Sequence, residues 1–355
     1  MRSFVTNLLE RFARCIPLSV YPAFVRRDII AFFCHAVSDE PMEHVRHLYP
    51  VVPVAQFEAA LRYLNSRYNL ISYEQLHAHH TKGAPLPSKA VHLSFDDGFA
   101  ECFTVVRPLL RKYDIPCTFF IATDWLDNRA MFYRNKASLA IQRFGESTNT
   151  ERSEIFTTLH LRFGITVDSS SFVPWIKALR LPDEAAIDEV CRVLGIDIPA
   201  FLRERQPYLT TAQIRQMDAE GFTIGAHTKT HRKLAALSDA EIESEIADSC
   251  RLVREITGQE IVPFSFPHSA FGLDRSLLAG IRSRHPFIGL LFDTKGLRCD
   301  VDFIVNRIWA ERIPSPKVGG GPGWGGYSLP ELLHAAYQDA WVEGVMGAAR
   351  KVKHF

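Results

Sequence analysis

The chain has 355 residues, of which 47% are hydrophobic and 23% charged, a composition that excludes a disordered protein and suffices for a large hydrophobic core. Its 41 Lys and Arg nearly balance its 40 Asp and Glu, and the net charge of +1 excludes the strongly basic surface expected of a nucleic-acid-binding protein. Its seven cysteines include no Cys-x-x-Cys pair, which predicts reduced, mostly buried thiols.

The N-terminal region, residues 1–28, carries apolar side chains at helical spacing together with several arginines. This pattern is typical of an amphipathic helix that docks on its own domain, and the alternative is a helix lying on an anionic membrane face. Charged residues interrupt the apolar run, so it lacks the h-region of a signal peptide, and no later stretch reaches the roughly 18 apolar residues of a membrane span. We therefore expect a cytoplasmic protein, or one bound peripherally at the inner membrane face.

Short apolar runs bounded by polar residues recur along the chain and predict buried strands. They lie at 28–35, 90–95, 117–123, 222–227, 261–267, 287–294 and 303–309. Apolar residues at helical spacing predict intervening helices at 54–68, 239–258 and 274–284. The second of these is expected to begin at Ser238 or Asp239 and to end at Gly258. The alternation predicts a parallel α/β barrel or sheet with an active site at the carboxyl ends of its strands.

One segment interrupts this alternation, because residues 128–206 have a helical and charged pattern. Within it, 184–196 gives the clearest helix and 145–154 is predicted to be a loop. The glycine-rich stretch at 319–326 lacks the Lys and Ser/Thr of a phosphate-binding loop, which favours a flexible linker. We therefore divide the chain into an N-terminal helical region (1–28), a first barrel part (29–127), a helical insertion (128–206), a second barrel part (207–315), and a glycine-rich linker with a C-terminal helix (316–355).

Two adjacent carboxylates, Asp96 and Asp97, follow the predicted strand at 90–95, and Gly98 permits a turn that would bring both to one site. Like charges that are poorly solvated need a neutralising cation. His227 and His231 lie four residues apart just past another strand, and two imidazoles with one carboxylate are the usual ligands of a catalytic metal site. Two surface histidines on one helical turn are the structural alternative for that spacing, but the combination with the aspartates favours a metal.

The stretches "SFDDGF" (94–99) and "HTKTH" (227–231) resemble the first two motifs of the polysaccharide deacetylases, carbohydrate esterase family 4. The resemblance covers roughly 29–126 and 207–315, and it implies a distorted (β/α) barrel of about seven strands. It also implies metal-dependent hydrolysis of N-acetyl groups, usually on N-acetylglucosamine. On this sequence, the implied metal ligands are Asp97, His227 and His231, and the implied general base is Asp96. We expect zinc, although cobalt, nickel or iron would suit the same ligands.

The family's other motifs are altered in this chain. "FSFPHSAFG" keeps Pro267 but lacks the usual arginine, and His268 replaces the tyrosine whose backbone amide serves the oxyanion hole. Arg307, at the end of a later predicted strand, is the candidate substitute for that arginine, and a structural salt bridge is the alternative. "FFCHAVSD" resembles a permuted subgroup that includes exopolysaccharide deacetylases and places the acid histidine before the aspartates. We therefore expect His35 to protonate the leaving amine.

The other histidines and the absence of two hydrolase motifs narrow the range of possible functions. His44, His47 and the histidines at 77–80 lack strand-end carboxylates nearby in sequence, which favours solvated surface side chains. The chain has no G-x-S-x-G elbow and no H-E-x-x-H helix, so the common serine hydrolases and zincins are excluded. We expect a metal-dependent N-deacetylase acting on a carbohydrate, namely an amino sugar in a glycan or glycan precursor. The alternatives are a deacylase of a non-sugar amide with the same mechanism and a noncatalytic carbohydrate-binding barrel.

Overall fold

The computed structural model describes residues 27–311, 331 and 333–342, together with residues 13, 16, 17, 20, 21 and 25. Most of the predicted N-terminal helix and the whole glycine-rich linker lie outside the described residues. Residues 333–342 are helical, and Leu333 and Tyr337 are part of the main hydrophobic core. None of the described helices combines the length and the apolar character that a membrane crossing needs.

The described strands all pair in parallel and form a nearly closed barrel, which confirms the predicted fold class. They pair in the order β8-β7-β6-β5-β4-β3-β1-β9, with β2 beside β3. In chain order the strands are β1 (Ile29–Cys34), β2 (Asn69–Leu70), β3 (Ala90–Phe95), β4 (Thr118–Ile121), β5 (Thr223–Ala226), β6 (Val262–Ser265), β7 (Ile288–Asp293), β8 (Ile304–Asn306) and β9 (Ile308–Trp309). Each predicted run contains at least one of them.

The last predicted run, 303–309, closes the barrel because it supplies two short strands. Within it, β8 pairs with β7, whereas β9 pairs with β1 on the opposite edge of the sheet. Only Arg307 lies between the two strands, and its backbone N–H donates to the carbonyl of Asp293 at 2.9 Å. The change of pairing partner at Arg307 therefore brings the two edges of the sheet together, and we call residues 304–309 the closing segment.

Helices lie around the barrel or, in the predicted insertion, against one end of it. In chain order they are α1 (Val54–Arg67), α2 (Tyr73–Lys82), α3 (Arg107–Lys112), α4 (Tyr133–Glu146), α5 (Asn149–Phe163), α6 (Phe172–Ala178), α7 (Glu184–Val193), α8 (Ile198–Arg205), α9 (Thr211–Ala219), α10 (Asp239–Thr257) and α11 (Arg275–Arg284). Every residue of β3 and β7 is buried, as expected for parallel strands covered on both faces. Of the two starting points considered for α10, Ser238 is correct, because its side chain accepts a hydrogen bond from the Glu241 N–H.

Helices α4 to α8 occupy the predicted insertion and pack around a hydrophobic cluster of their own. The cluster also includes Phe99 and Trp125 from loops at the carboxyl ends of β3 and β4. The insertion therefore packs against the end of the barrel at which the aspartates lie. The division of the chain into five regions stays a prediction.

One local prediction inside the insertion is wrong. Residues 145–154 do not form a loop throughout, because α5 begins at Asn149. Thr148 caps this helix, and its side chain accepts a hydrogen bond from the Glu151 N–H while the Glu151 carboxylate binds the N–H of Thr148. This reciprocal pair is the T-x-x-E capping box, which stabilises a helix start despite the polar composition of the stretch.

Candidate active site and metal centre

The two adjacent aspartates lie in a tight turn that follows β3. Asp97 and Gly98 have φ values of 72° and 73°, in the left-handed region that Asp tolerates better than most residues. A Cβ atom at position 98 would lie 3.0 Å from Cγ2 of Ile121, so the turn needs glycine for space as well as for conformation. Both Asp96 and Asp97 are buried, with 2% and 3% of their surface exposed. The turn thus places two carboxylates together at the carboxyl end of the barrel.

Asp97 meets both predicted histidine ligands. Its Oδ1 lies 3.4 Å from Nε2 of His227 and 3.2 Å from Nε2 of His231. The ring Nδ1 of His227 lies 2.8 Å from the carbonyl oxygen of Ser265 and so donates its proton there, which leaves the Nε2 lone pair directed at Asp97. The three groups are buried, and their ligand atoms lie within 4.8 Å of one another.

These distances fit a divalent metal. A tetrahedral ion with ligands at about 2.0–2.1 Å separates neighbouring ligand atoms by about 3.3 Å, close to the two values above. Asp97 Oδ1 is buried and has no hydrogen-bond partner among the described residues, which is costly unless a cation lies beside it. His227 follows β5 directly and His231 lies in a loop whose Thr228 and His231 have positive φ. The surface-helix alternative for this histidine pair is therefore wrong.

The electrostatics of the cluster also suit a metal. Burial works to raise the pKa of Asp97, but the adjacent imidazoles of His231 and His227 hold that pKa well below its usual range. Burial lowers the pKa of His231. The carboxylate of Asp97 is therefore ionised, the form in which an aspartate binds metal ions.

Arg307 pairs with Asp96, the other aspartate of the turn. Its Nη1 and Nη2 donate to the two carboxylate oxygens of Asp96 at 2.7 and 2.8 Å. The guanidinium is fully buried, lies 4.5 Å from the centre of the Phe33 ring, and also donates to the hydroxyls of Ser94 and Ser265. Burial works to raise the pKa of Asp96, but Arg307 outweighs it, so that the pKa lies below its usual value and the carboxylate stays ionised.

His35 lies at the carboxyl end of β1 and pairs with a residue that the sequence analysis missed. Its Nδ1 lies 2.6 Å from Oε2 of Glu311, and its backbone N–H donates to Oε1 of the same carboxylate at 2.6 Å. The N–H of Ala36 and the Nε1–H of Trp309 donate to Glu311 at 2.8 and 2.9 Å. The side chain of Glu311 is fully buried, so this network fixes both the carboxylate and the imidazole.

The carboxylate of Glu311 also determines the charge of His35. Burial alone would lower the pKa of His35, but the charge and hydrogen bond of Glu311 raise it to about 9. The imidazole is therefore protonated at neutral pH. Tyr49, a second residue that the sequence analysis missed, stacks on this ring at 4.4 Å and donates its hydroxyl to Oδ2 of Asp97 at 2.7 Å. Through Tyr49, the His35 network reaches the candidate metal ligands.

His268 lies at the exposed rim of the same site. It follows β6 with a φ of 63°, and its ring centre is 5.1 Å from that of His231. The loop after β6 thus lies beside the candidate ligands. The role of its backbone amide in an oxyanion hole stays a prediction.

The predicted solvent exposure of His44, a histidine outside the cluster, is wrong. His44 is not a solvated surface residue, since only 3% of its surface is exposed. Its ring contacts those of Phe99 and Phe201, and burial lowers its pKa to about 4. The neutral imidazole therefore packs as an aromatic ring between the barrel and the insertion.

Comparison with known proteins relates this chain to a protein family. The Polysaccharide deacetylase family model matches residues 83–281, more than half of the chain. The poly-beta-1,6-N-acetyl-D-glucosamine N-deacetylase of Escherichia coli strain K12 is 38% identical over 63 residues, which are 18% of this chain and 9% of that protein. The similarity to this curated relative thus spans under a tenth of its length.

Two solved structures share the fold. The Streptococcus pyogenes deacetylase PplD, in complex with acetate, matches with a TM-score of 0.50 and 16% identity over 79% of this chain and 91% of its own. BC0361, a polysaccharide deacetylase from Bacillus cereus, matches with a TM-score of 0.50 and 14% identity over 87% of this chain and 68% of its own. At these identities the likeness concerns the fold alone.

The part of the chain that the family model matches holds the Asp-Asp turn and both candidate histidine ligands, while His35, Arg307 and Glu311 lie outside it. The match runs through strands β3 to β6 and the loops that carry the candidate metal ligands. By the extent of this match, the chain belongs to the polysaccharide deacetylase family.

Proposed function

We propose that this chain is a metal-dependent N-deacetylase that hydrolyses the N-acetyl group of an N-acetylglucosamine-type sugar in a glycan or glycan precursor. The observation that carries the proposal is the convergence of an ionised base, three metal-ligating groups and a protonated imidazole at one end of the barrel. Family membership supports it, as does the similarity to a poly-beta-1,6-N-acetyl-D-glucosamine N-deacetylase over one segment. A noncatalytic barrel would have no need of both a paired base and a paired acid.

Different residues of the site carry the separate steps of the proposed reaction. A divalent metal held by Asp97, His227 and His231 would lower the pKa of water and polarise the acetyl carbonyl. Asp96, oriented and kept ionised by Arg307, takes a proton from the water whose oxygen attacks the carbonyl carbon. As the carbon–nitrogen bond breaks, His35 gives its proton to the departing amine. Acetate and a free amino group are the products.

An exposed aromatic ring at the rim supports a carbohydrate substrate. Phe271 is 72% exposed and lies three residues after His268, on the loop that follows β6. Lys295 Nζ lies 5.5 Å from its ring centre. Exposing a large apolar ring beside a polar site has a free-energy cost in water, which contact with the apolar face of a sugar ring would offset.

The test is acetate release from N-acetylglucosamine oligomers by the purified protein, measured as isolated, after chelation and after zinc or cobalt is added back. We expect chelation to abolish release and metal to restore it, because the ligand cluster has to hold the ion for turnover. His231→Ala should lose both the bound metal and the activity, since only two ligands remain. His285→Ala is the matched control, because His285 pairs with Glu243 on the surface and should leave metal content unchanged.

Two results would contradict the proposal. Acetate release that is indifferent to chelation would remove the metal from the mechanism. A metal-loaded protein that releases acetate from non-sugar N-acetyl amides, and from no sugar, would favour the non-sugar deacylase instead.

The pairing of His35 with Glu311 gives a separate prediction for the pH dependence. A general acid must be protonated, so kcat/KM should fall as pH rises through the pKa of His35. Glu311→Gln removes the largest influence that raises this pKa, while the charges of Asp97 and Asp96 remain. We therefore expect the alkaline limb of the kcat/KM profile to move to lower pH by about 1 unit or more.

The matched control for this pH profile is Glu243→Gln. It removes a carboxylate that pairs with His285, at 2.8 Å, and that is not among the groups that shift the pKa of His35. An alkaline limb that stays in place in Glu311→Gln would show that His35 is not the acid.

A further inference from the structure

We propose that a cavity between α4, α6 and the loop at residues 47–48 binds a phosphate group of the substrate, so that the substrate is an N-acetylated amino sugar carrying a phosphate ester. The inference rests on the proposed function and names its substrate class. The cavity has a volume of about 140 Å³, enough for several water molecules or a phosphate group. Its lining includes His47, Tyr133, Arg134 and Lys177.

The first observation is that the cavity is positively charged and lacks a counter-charge. Arg134 is half-buried, and among the described residues neither Arg134 nor Lys177 takes part in an ion pair. Lys136, two residues further along the same helix, pairs with both Glu184 and Asp188 on the other side. The acidic residues of the insertion therefore neutralise a neighbouring cation and leave those in the cavity unpaired.

One further feature adds to the positive potential. The first turn of α4 contains no acidic residue, and Phe132 at its N-cap offers no side-chain acceptor, so no side chain offsets the partial positive charge of this helix end. Burial lowers the pKa of His47 against its hydrogen bond to Gln142, and the charges of Lys177 and Arg46 lower it further. His47 is therefore a neutral polar group of the lining, and Arg134 and Lys177 supply its positive charge.

The second observation is that two lining residues of the cavity are neighbours in sequence of residues that contact the candidate metal ligands. Leu48, which lines the cavity, precedes Tyr49, whose hydroxyl binds Asp97 at 2.7 Å. Tyr133, on the other wall, follows Phe132, whose ring centre lies 4.8 Å from that of His231. Neighbouring Cα atoms are about 3.8 Å apart, so on two sides the cavity lies one residue along the chain from a side chain that contacts the ligand cluster. We infer that a sugar whose acetyl group reaches the metal extends an attached phosphate toward the cavity.

The third observation is that part of the lining is apolar. Ile141, Ile176 and Leu179 line the cavity together with the cations. Apolar lining lowers the local dielectric constant, which strengthens the attraction between Arg134 and a bound anion. Arg134 can also donate two parallel hydrogen bonds to a phosphate.

The test compares two ligands that differ in the phosphate: N-acetylglucosamine 1-phosphate and the methyl glycoside of N-acetylglucosamine. Affinities are measured by titration calorimetry on the metal-loaded full-length chain with Asp96→Asn, which prevents turnover. We expect the phosphate to bind about tenfold more tightly at low salt, and this advantage to shrink as ionic strength rises. Arg134→Ala combined with Lys177→Ala should abolish the advantage.

Arg203→Ala is the matched control, because Arg203 is an exposed arginine of α8 that does not line the cavity. It should retain the phosphate advantage, and equal thermal unfolding temperatures will show that the variants are folded. Equal affinities for the two ligands at low salt, or an advantage that survives the double substitution, would overturn the proposal. Failure of the phosphate-site proposal is distinguishable from failure of the proposed deacetylase activity. The activity is tested separately, by acetate release from neutral oligomers, which does not depend on phosphate binding.

Discussion

Replacing Asp96 by asparagine is expected to lower kcat for acetate release by about 10²–10⁴-fold while the metal stays bound. The amide has nearly the same shape as the carboxylate but cannot take a proton from water. The candidate metal ligands are Asp97, His227 and His231, which this substitution leaves in place. The measurement pairs the rate of acetate release with the metal content of the same sample.

Two further variants distinguish loss of the general base from loss of the metal. Asp97→Asn should lose metal as well as activity, because it removes the only carboxylate of the ligand cluster. Asp248→Asn, which removes a surface partner of Lys229 and Arg251, should change neither. If Asp96→Asn kept most of the wild-type rate, another group would have to be the base.

Replacing Arg307 by methionine is expected to lower the free energy of unfolding at neutral pH by about 3–5 kcal/mol, because it leaves the buried carboxylate of Asp96 without its partner. Arg307 keeps the folded-state pKa of Asp96 below its unfolded value, so the pair stabilises the fold above the unfolded pKa and loses this contribution as pH falls. In the variant, protonation relieves the unpaired charge. The difference from the wild type should therefore shrink toward acid pH.

Denaturant unfolding at neutral and at acid pH measures this effect. Combining Arg307→Met with Asp96→Asn should recover part of the loss, because no charge then remains buried alone. Arg254→Met removes an exposed arginine that packs on the Phe287 ring, and it should cost less than about 1 kcal/mol. A cost for Arg307→Met as small as that of Arg254→Met would mean that water or another group compensates Asp96.

The fold was predictable because its strands are buried on both faces and leave continuous apolar runs. The run at 90–95 coincides with β3, and the others differ from their strands mainly at the ends. The exception is 303–309, where the change of partner at Arg307 depends on closure of the barrel and has no local signal. The start of α5 had a local signal in Thr148 and Glu151, but the polar composition around them favoured a loop.

The site was predictable only where a motif concentrates its residues. The adjacent pair Asp96 and Asp97, and the histidines four residues apart, stand out because each group is local. Glu311 and Tyr49 come from segments without periodicity, and no motif relates them to His35. An acidic residue two positions after the last strand was the one available signal for Glu311. Their contacts exist only because the barrel brings its carboxyl ends to one rim.

The closing segment determines when, during synthesis, the chain contains all residues of the candidate site. Residues 304–309 both join the two edges of the sheet and deliver Arg307 to Asp96, and Glu311 follows two residues later. During synthesis the candidate metal ligands emerge first, so a nascent chain ending before residue 304 carries them without the arginine that pairs with Asp96 or the carboxylate that pairs with His35. Closure of the barrel and completion of both charge pairs therefore depend on the same late segment of the chain.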